Sequence, residues 1–472
     1  MRLVGKSINP ETLVGDMKSQ LEAEKLIREG VYPLAKKLRH TAELTLVSFF
    51  SAGDMEHVDT MLVSMSEQAK ALVEQIGTNP KTAYLLSLSV VQDALSDAQA
   101  LENLVHFIQQ GHLAVPRSSQ SFGGLPSVND SVYLNGIIKT CRSLERYAVG
   151  RATHGDRASV KACSEFVSAL LQKLMEFDFR NGPLRRAYDG VKYAHKRLGD
   201  ILYETSLCQD VKDGDVSTAT FANDDTSTST RIEVSDLLPV EELETVRIKM
   251  VAFDEKREQV IKRCRDVQKL SKQAIFSLHR NEKKKARNQL NTAMSKAQAI
   301  SEEFDFATES ELRSGSFQNA MEEWVEGRLF EAWLDSDSVN ILSPTELQAE
   351  LTPPLKMTHE EYLGGLVDFT GEVGRWAVLK ATQRNKVAVE KALAADLTVE
   401  ASMILLGTAM PGKMNKKSSA LRNNVKKLEH VLYELSLLKG TGRKTFTSAA
   451  NKPGKGSGDD DDGNRGSSNS KM

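Results

Sequence analysis

Adding 229 to a residue number in the first half of this chain lands on a like residue in the second, and that register constrains the fold more than any other feature. Leu38 maps onto Val267, Ser48 onto Ser277 and Phe49 onto Leu278. Tyr133, Leu134 and Gly136 map onto Tyr362, Leu363 and Gly365; Arg146 maps onto Arg375, and Ala152 and Thr153 onto Ala381 and Thr382. With one residue added, ILYETSL (201–207) matches VLYELSL (431–437). A register kept over so long a span marks a duplication, so the chain is expected to fold as two related modules. Both are expected to be helical. Residues recur three and four apart, as in Leu34, Leu38, Ala42, Thr45 and Phe49. Twelve prolines in 472 residues leave long stretches uninterrupted.

The helical pattern runs over residues 22–110, resumes at 131 and, with a break near 180–183, continues to about 208. Residues 111–129 read as a loop by their Gly, Pro and Ser content. Residues 209–236 turn acidic and rich in Ser and Thr, too poor in apolar surface to order themselves. The expected organisation is therefore all-α. One helical bundle spans 1–208, a disordered linker 209–236, a second bundle 237–439 and a disordered low-complexity tail 440–472. The DDDD run at 459–462 in that tail reads as solvated charge.

The net charge of −2 excludes a wholly basic nucleic-acid binder and leaves room for a local basic face. Cys141, Cys163, Cys208 and Cys264 are scattered without a CxxC pair, which argues against a zinc site or disulfide framework and for reduced, packed thiols. No run of about 18 apolar residues stands out, so no membrane span or membrane partner is expected. The start, MRLVGKSINPETL, lacks the apolar core of a secretory signal. Those two features place the expected location in the cytoplasm, the nucleus or both.

The two copies part company at one place. YLNGIIKTCRS (133–143) carries Lys139 and Ser143 where YLGGLVDFTGE (362–372) carries Asp368 and Glu372. Asp368 and Glu372 lie one turn apart on one helix face, as do Glu323 and Glu326 of MEEWVEG (321–327), with Glu322 alongside. Acidic residues on helices ordinarily face water. Asp368, however, follows Leu363, Leu366 and Val367 and precedes Phe369. Carboxylates on apolar, packed helices cannot be left unpaired. A divalent cation would resolve the charge, and oxygen-only ligands favour Mg²⁺ or Mn²⁺ over zinc. In a two-ion arrangement such cations activate water and stabilise the leaving oxygen of a phosphodiester.

YLGGLVDFTGE, with MEEWVEG before it and VKKLEHVLYELSL after it, resembles the TRAX branch of the translin/TRAX family. REQVIKRCRDVQKLSKQAIFSLHR (257–280) is similar to the early helix of that family. In the first half, YLNGIIKTCRSLERYAVGRATHGD and NGPLRRAYDGVKYAHKRLGDILYETSL resemble the translin branch. The resemblance implies two tandem translin-like helical bundles, a translin-like module fused to a TRAX-like one. It also implies an oligomeric shell enclosing RNA, built from copies of this chain with or without a separate translin-like subunit. Further, it implies Mg²⁺-dependent endoribonuclease activity on single-stranded or structured short RNA, with Mn²⁺ as a substitute ion. Carried over residue by residue, the catalytic and metal-binding acids are Glu323, Glu326, Asp368 and Glu372. The gapless register sets Asp97 opposite Glu326 and Ala94 opposite Glu323; a three-residue shift sets Asp97 opposite Glu323. Either way at most one acid survives in the first module, which is expected to be inactive. Residues 381–414 match the family pattern less well than 152–184 do.

Binding RNA requires cations for phosphate. His279, Arg280, Lys283, Lys284, Lys285 and Arg287 cluster after the early helix of the second half. Arg180, Arg185, Arg186, Lys192, Lys196 and Arg197 line the late helices of the first half, and Lys413, Lys416, Lys417, Arg422, Lys426 and Lys427 those of the second. Any one cluster alone is also what an ordinary solvated helix face looks like. Their recurrence at matching places favours a shared RNA-facing surface blind to sequence. Trp324, Trp333 and Trp376 read as core. Two other functions fit the same sequence: a non-catalytic single-stranded RNA- or DNA-binding protein of the translin type, and a helical scaffold with no nucleic-acid role.

Overall fold

The computed structural model describes residues 9–52, 55–77, 83–113, 130–180, 182–207, 237–306 and 309–441. The expected linker at 209–236, the tail from 442 onward, Cys208 and most of the 111–129 loop lie outside these residues. Every regular element among the described residues is a helix. The first half holds α1 (Pro10–Ala52), α2 (Met55–Ile76), α3 (Ser89–Gln110), α4 (Asp130–Thr153), α5 (Arg157–Leu174) and α6 (Pro183–Leu207). The second holds α7 (Val240–His279), α8 (Lys283–Glu303), the short α9 (Ser310–Arg313), α10 (Ser316–Asp335), the short α11 (Pro344–Ala349), α12 (His359–Thr382), α13 (Lys386–Leu406) and α14 (Met414–Thr441).

The repeat in sequence is a repeat in packing. In the first half α1 packs on α2 and α3, α3 on α4, and α4, α5 and α6 on one another. The second half has the same set: α7 on α8 and α10, α10 on α12, and α12, α13 and α14 on one another.

The two apolar cores, however, do not follow the expected segments 1–208 and 237–439. Leu13, Val14, Met17 and Leu21, at the start of α1, belong to the core of the second module; from Val31 onward α1 joins the first. Conversely Leu237, Leu238, Leu243 and Val246 belong to the core of the first module, and α7 joins the second from Val260. The exchange keeps the 229 register, because Val14 and Met17 correspond to Leu243 and Val246. The modules are thus joined reciprocally, like the subunits of an isologous dimer. Surface ion pairs add to the join: Arg180 contacts Asp254 at 3.0 Å and Glu258 at 2.6 Å, and Lys173 contacts Glu244 at 3.3 Å.

One expectation is corrected. Lys386–Ala409, which contains α13, holds an 18-residue window with a mean hydropathy of 1.4 and is long and apolar enough to cross a membrane by length and composition. One face of it serves the core, where Val389, Ala392, Leu393, Val399, Met403 and Leu406 are buried, while Val387 and Ile404 are exposed. With α12, α14 and the start of α1 packed against it, α13 is apolar on most sides, as a core helix must be. Ser402 Oγ donates to the Pro10 carbonyl at 3.1 Å, fixing α1 to it.

Candidate metal and phosphodiester site

The site is set by how α10 crosses α12. Thr358 caps α12, accepting from the Glu361 backbone N–H at 3.2 Å, while the Glu361 carboxylate accepts from the Thr358 N–H at 2.8 Å. This reciprocal cap satisfies two otherwise orphaned donors and fixes where the helix begins. Seven residues beyond Glu361 comes Asp368, and Glu372 follows one turn later. At the crossing itself the backbones nearly touch. A Cβ on Gly365 would lie 2.6 Å from Val325 Cβ and 2.7 Å from the Glu322 carbonyl oxygen. In the first module the matching Gly136 meets Gln99 instead. Gln99 therefore corresponds to Val325, which selects the three-residue shift: Asp97 stands where Glu323 stands, and Ala100 where Glu326 stands. Gly364, next to the crossing glycine, leaves room for the Glu322 carboxyl group, whose Cδ would sit 2.4 Å from a Cβ there. Asn135 occupies that place in the first module.

The four expected acids gather around Glu326. Glu326 is 8% exposed, accepts no hydrogen bond and joins no ion pair among the described residues. Burial first, and then the charges of Asp368, Glu323 and Glu372, push its carboxyl up to about 9, with Lys417 opposing. Each of the other three is held by a cation of the chain. Glu323 pairs with Lys272 at 3.1 Å. Glu372 contacts His279 Nε2 at 2.6 Å and Arg375 at 3.0 Å. Asp368 contacts Lys417 at 2.6 Å, and the same ammonium reaches Glu322 at 2.8 Å. As placed, no three His, Cys, Asp or Glu side chains among the described residues form a ready metal shell. The donor set nonetheless suits a hard divalent cation, since it offers carboxylate oxygens from two helices. Glu326, mostly buried and with no hydrogen bond or ion pair among the described residues, is the group that such a cation would neutralise. Glu323, Glu326, Asp368 and Glu372 are the residues that would hold it.

Two residues join this site that the sequence placed elsewhere. His279, expected at an RNA surface, is mostly buried, with its ring 4.9 Å from Phe330 and its Nε2 on Glu372. Lys417, grouped with the late-helix phosphate contacts, points between α10 and α12. Neither is visible in sequence spacing, because each comes from a helix distant in the chain from the acids it meets.

The other expected phosphate contacts remain on the surface. Arg280 pairs with Glu282 at 3.0 Å, Lys283 with Asp335 at 2.7 Å and Arg287 with the buried Glu331. Arg185 and Lys192 share Asp189, at 3.6 and 3.0 Å. Lys284, Arg186 and Lys196 are exposed and joined to no acid among the described residues. Exposed pairs of this kind are weak and exchange readily for a phosphate. Trp324 and Trp333 are buried, and Trp376 packs edge-on against Trp333 at 4.9 Å, so the tryptophans are core.

In the first module a lysine stands at one of the acidic positions. Lys139 stands for Asp368 and bonds to Asp97 at 2.6 Å, while Arg39 reaches the same acid at 3.3 Å. An open cavity of about 590 Å³ lies there, lined by Asp97, Lys139, Ser143 and Ala187 among others. With one acid, Asp97, left at the four matching positions, the arrangement lacks the ligands of the second module.

The geometry can be set beside known proteins. Residues 255–439 match the Translin family model. That segment contains all four acids, His279 and Lys417, and stops short of the first module. Translin from Gallus gallus is 32% identical over 75 residues, and Translin from Homo sapiens 31% over 75. Each match covers 16% of this chain and 33% of the relative, so the chain spans about a third of the length of the curated relatives it matches. Among solved structures, apo-NeC3PO aligns at 20% identity and a TM-score of 0.36, over 42% of this chain and 98% of its own. The AfC3PO–duplex RNA complex aligns at 19% and 0.34, over 42% and 99%.

Proposed function

We propose that the second module is a TRAX-like, Mg²⁺-dependent endoribonuclease and that the first is a translin-like, inactive partner fused to it. The observation that carries this reading is Glu326, buried without a hydrogen-bond or ion-pair partner among the described residues and acted on by three further carboxylates from two crossing helices. A divalent ion held there supplies Lewis acidity toward a phosphodiester and toward water, with Mn²⁺ able to replace Mg²⁺. Glu323, Glu326, Asp368 and Glu372 offer the ligand oxygens, and Glu322 and Asp368 hold Lys417 beside the same space. Hydrolysis adds water across one P–O bond, leaving a phosphate monoester on one fragment and a hydroxyl on the other. The exposed Lys284, Arg186 and Lys196, with their neighbours on α6 and α8, hold the backbone of single-stranded or structured short RNA without reading its bases. Tyr203 and Tyr433, 66% and 61% exposed at matching places on α6 and α14, are surface that assembly of several chains, or of chains with a translin-like subunit, would cover.

The second reading is a non-catalytic protein that binds single-stranded RNA or DNA. It is favoured by the ion pairs that already hold three of the four acids. One experiment separates the two. Full-length protein is incubated with single-stranded RNA and Mg²⁺, beside Glu326→Gln. Cleavage by the wild type and not by the variant, with equal RNA binding, is expected. Cleavage by both at one rate would remove the site from these residues, and binding without cleavage by either would establish the second reading.

A further inference from the structure

Phe276 breaks the apolar pattern of α7. Its neighbours Ile275, Ser277 and Leu278 are buried, whereas Phe276 is 63% exposed. One exposed aromatic ring is ordinary in itself. The surroundings of this one are not. A turn before it, Lys272 reaches Glu323 of α10 at 3.1 Å, and a turn after it, His279 reaches Glu372 of α12 at 2.6 Å. Residues three and four apart share a helix face, so Phe276 stands at the rim of the acid cluster, beside the line that joins those two contacts.

On its other side the ring meets a cation. Arg280 lays its guanidinium over Phe276, with Cζ 5.6 Å from the ring centroid. Lys272, Phe276 and Arg280 thus form a row in steps of four, with a cation at each end about 12 Å apart along the axis and the ring midway. Both cations are exposed, at 64% and 62%, and their pairs with Glu323 and Glu282 are of the kind that gives way to a phosphate. Arg280 also opens the surface series that continues through Lys283 and Lys284, so the row runs from that series to the acids. In the first module the 229 register sets Glu43, Val47 and Ser51 in the three places. Val47 is 52% exposed but has no ring face, and at Glu43 the charge is reversed. The row exists only where the four acids do.

We propose that Phe276 is a stacking platform for one unpaired base of a bound RNA strand, and that Lys272 and Arg280 take the phosphates on either side of that nucleotide. Every base has a π-face, so the platform holds a strand without reading its sequence. A base inside a duplex is already covered on both faces and cannot lie on the ring. Phe276 therefore selects unpaired nucleotides and sets the backbone next to them beside the acids.

This rests on the RNA-binding part of the reading above and needs no metal ion, so it is tested in EDTA. Fluorescence anisotropy follows full-length wild type, Phe276→Leu and Phe276→Trp binding a labelled oligo-adenylate, an abasic strand of equal length and an RNA duplex. Phe276→Leu is expected to bind the oligo-adenylate about tenfold more weakly, the loss of one stacked base. It should bind the abasic strand and the duplex as the wild type does, and Phe276→Trp should keep the wild-type affinity for all three. Equal losses by Phe276→Leu on all three, no loss on any, or an equal loss by Phe276→Trp would overturn the platform and leave RNA binding in place. Light scattering on the same proteins excludes a chain-to-chain contact, since a changed assembly mass in Phe276→Leu would overturn it as well. Wild-type protein that binds none of the three would remove the RNA-binding reading itself, and the platform with it.

Discussion

At the scale of single residues, the molecule keeps several buried acids and treats them differently. Asp396 on α13 is fully buried; its Oδ2 accepts from Asn424 at 2.6 Å and its Oδ1 has no partner. Burial raises its carboxyl well above the ordinary carboxylate range, with the Asn424 hydrogen bond opposing. In the folded chain it stays protonated at pH values where the unfolded chain has ionised. The native state then binds more protons than the unfolded one. The stability it contributes is therefore full below the ordinary carboxylate pKa and is lost as pH rises. Asp396→Asn is expected to flatten that slope. As pH rises above the ordinary carboxylate range the wild type should lose stability relative to the variant in urea melts. Parallel losses in the two proteins would show that Asp396 is ionised in the fold. Glu323, Glu326, Asp368 and Glu372 were legible in the sequence because a shared helix face is a matter of spacing. His279 and Lys417 were not, since their places depend on which surfaces of α7 and α14 meet the acids.

Elements meet through glycines in both modules, with different tolerance. At Gly365 an added Cβ runs into Val325 Cβ and the Glu322 backbone, neither of which can rotate away. At Gly136 it meets the Gln99 side chain, with Oε1 nearest at 2.8 Å. Gly365→Ala should therefore separate α10 from α12 and cost about 1–3 kcal/mol, in the range of overpacked cores. Gly136→Ala should cost clearly less. Chemical denaturation of both variants compares them directly, and equal losses would mean that the two crossings are not as differently packed as the contacts indicate. These contacts also settle the register between α3 and α10. The sequence left two registers open because both preserve the helical apolar pattern; only the glycine contacts distinguish them.

For the whole molecule, the duplication was legible as a repeated register, and the reciprocal exchange of helix starts was not. Val14, Met17, Leu243 and Val246 fit a helical pattern equally well whichever module receives them, so periodicity carries no address. The exchange predicts crossed effects. Val14→Asp should loosen the second module, and Leu243→Asp the first, each by a few kcal/mol for an unpaired buried charge. Hydrogen exchange followed by mass spectrometry reads this locally: Val14→Asp should raise exchange in α13, and Leu243→Asp in α5, where Lys173 meets Glu244. Loosening confined to the module of the mutated residue's own half would contradict the exchange.

That crossing also sets an order of events at the ribosome. Synthesis runs from the amino terminus, so Val14 and Met17 are already present when the groove that receives them is made. The first module, by contrast, emerges with its own groove uncovered, and Leu243 and Val246 arrive only after the intervening segment has been translated. The nascent chain therefore carries an apolar surface awaiting its cover for as long as that segment takes to make.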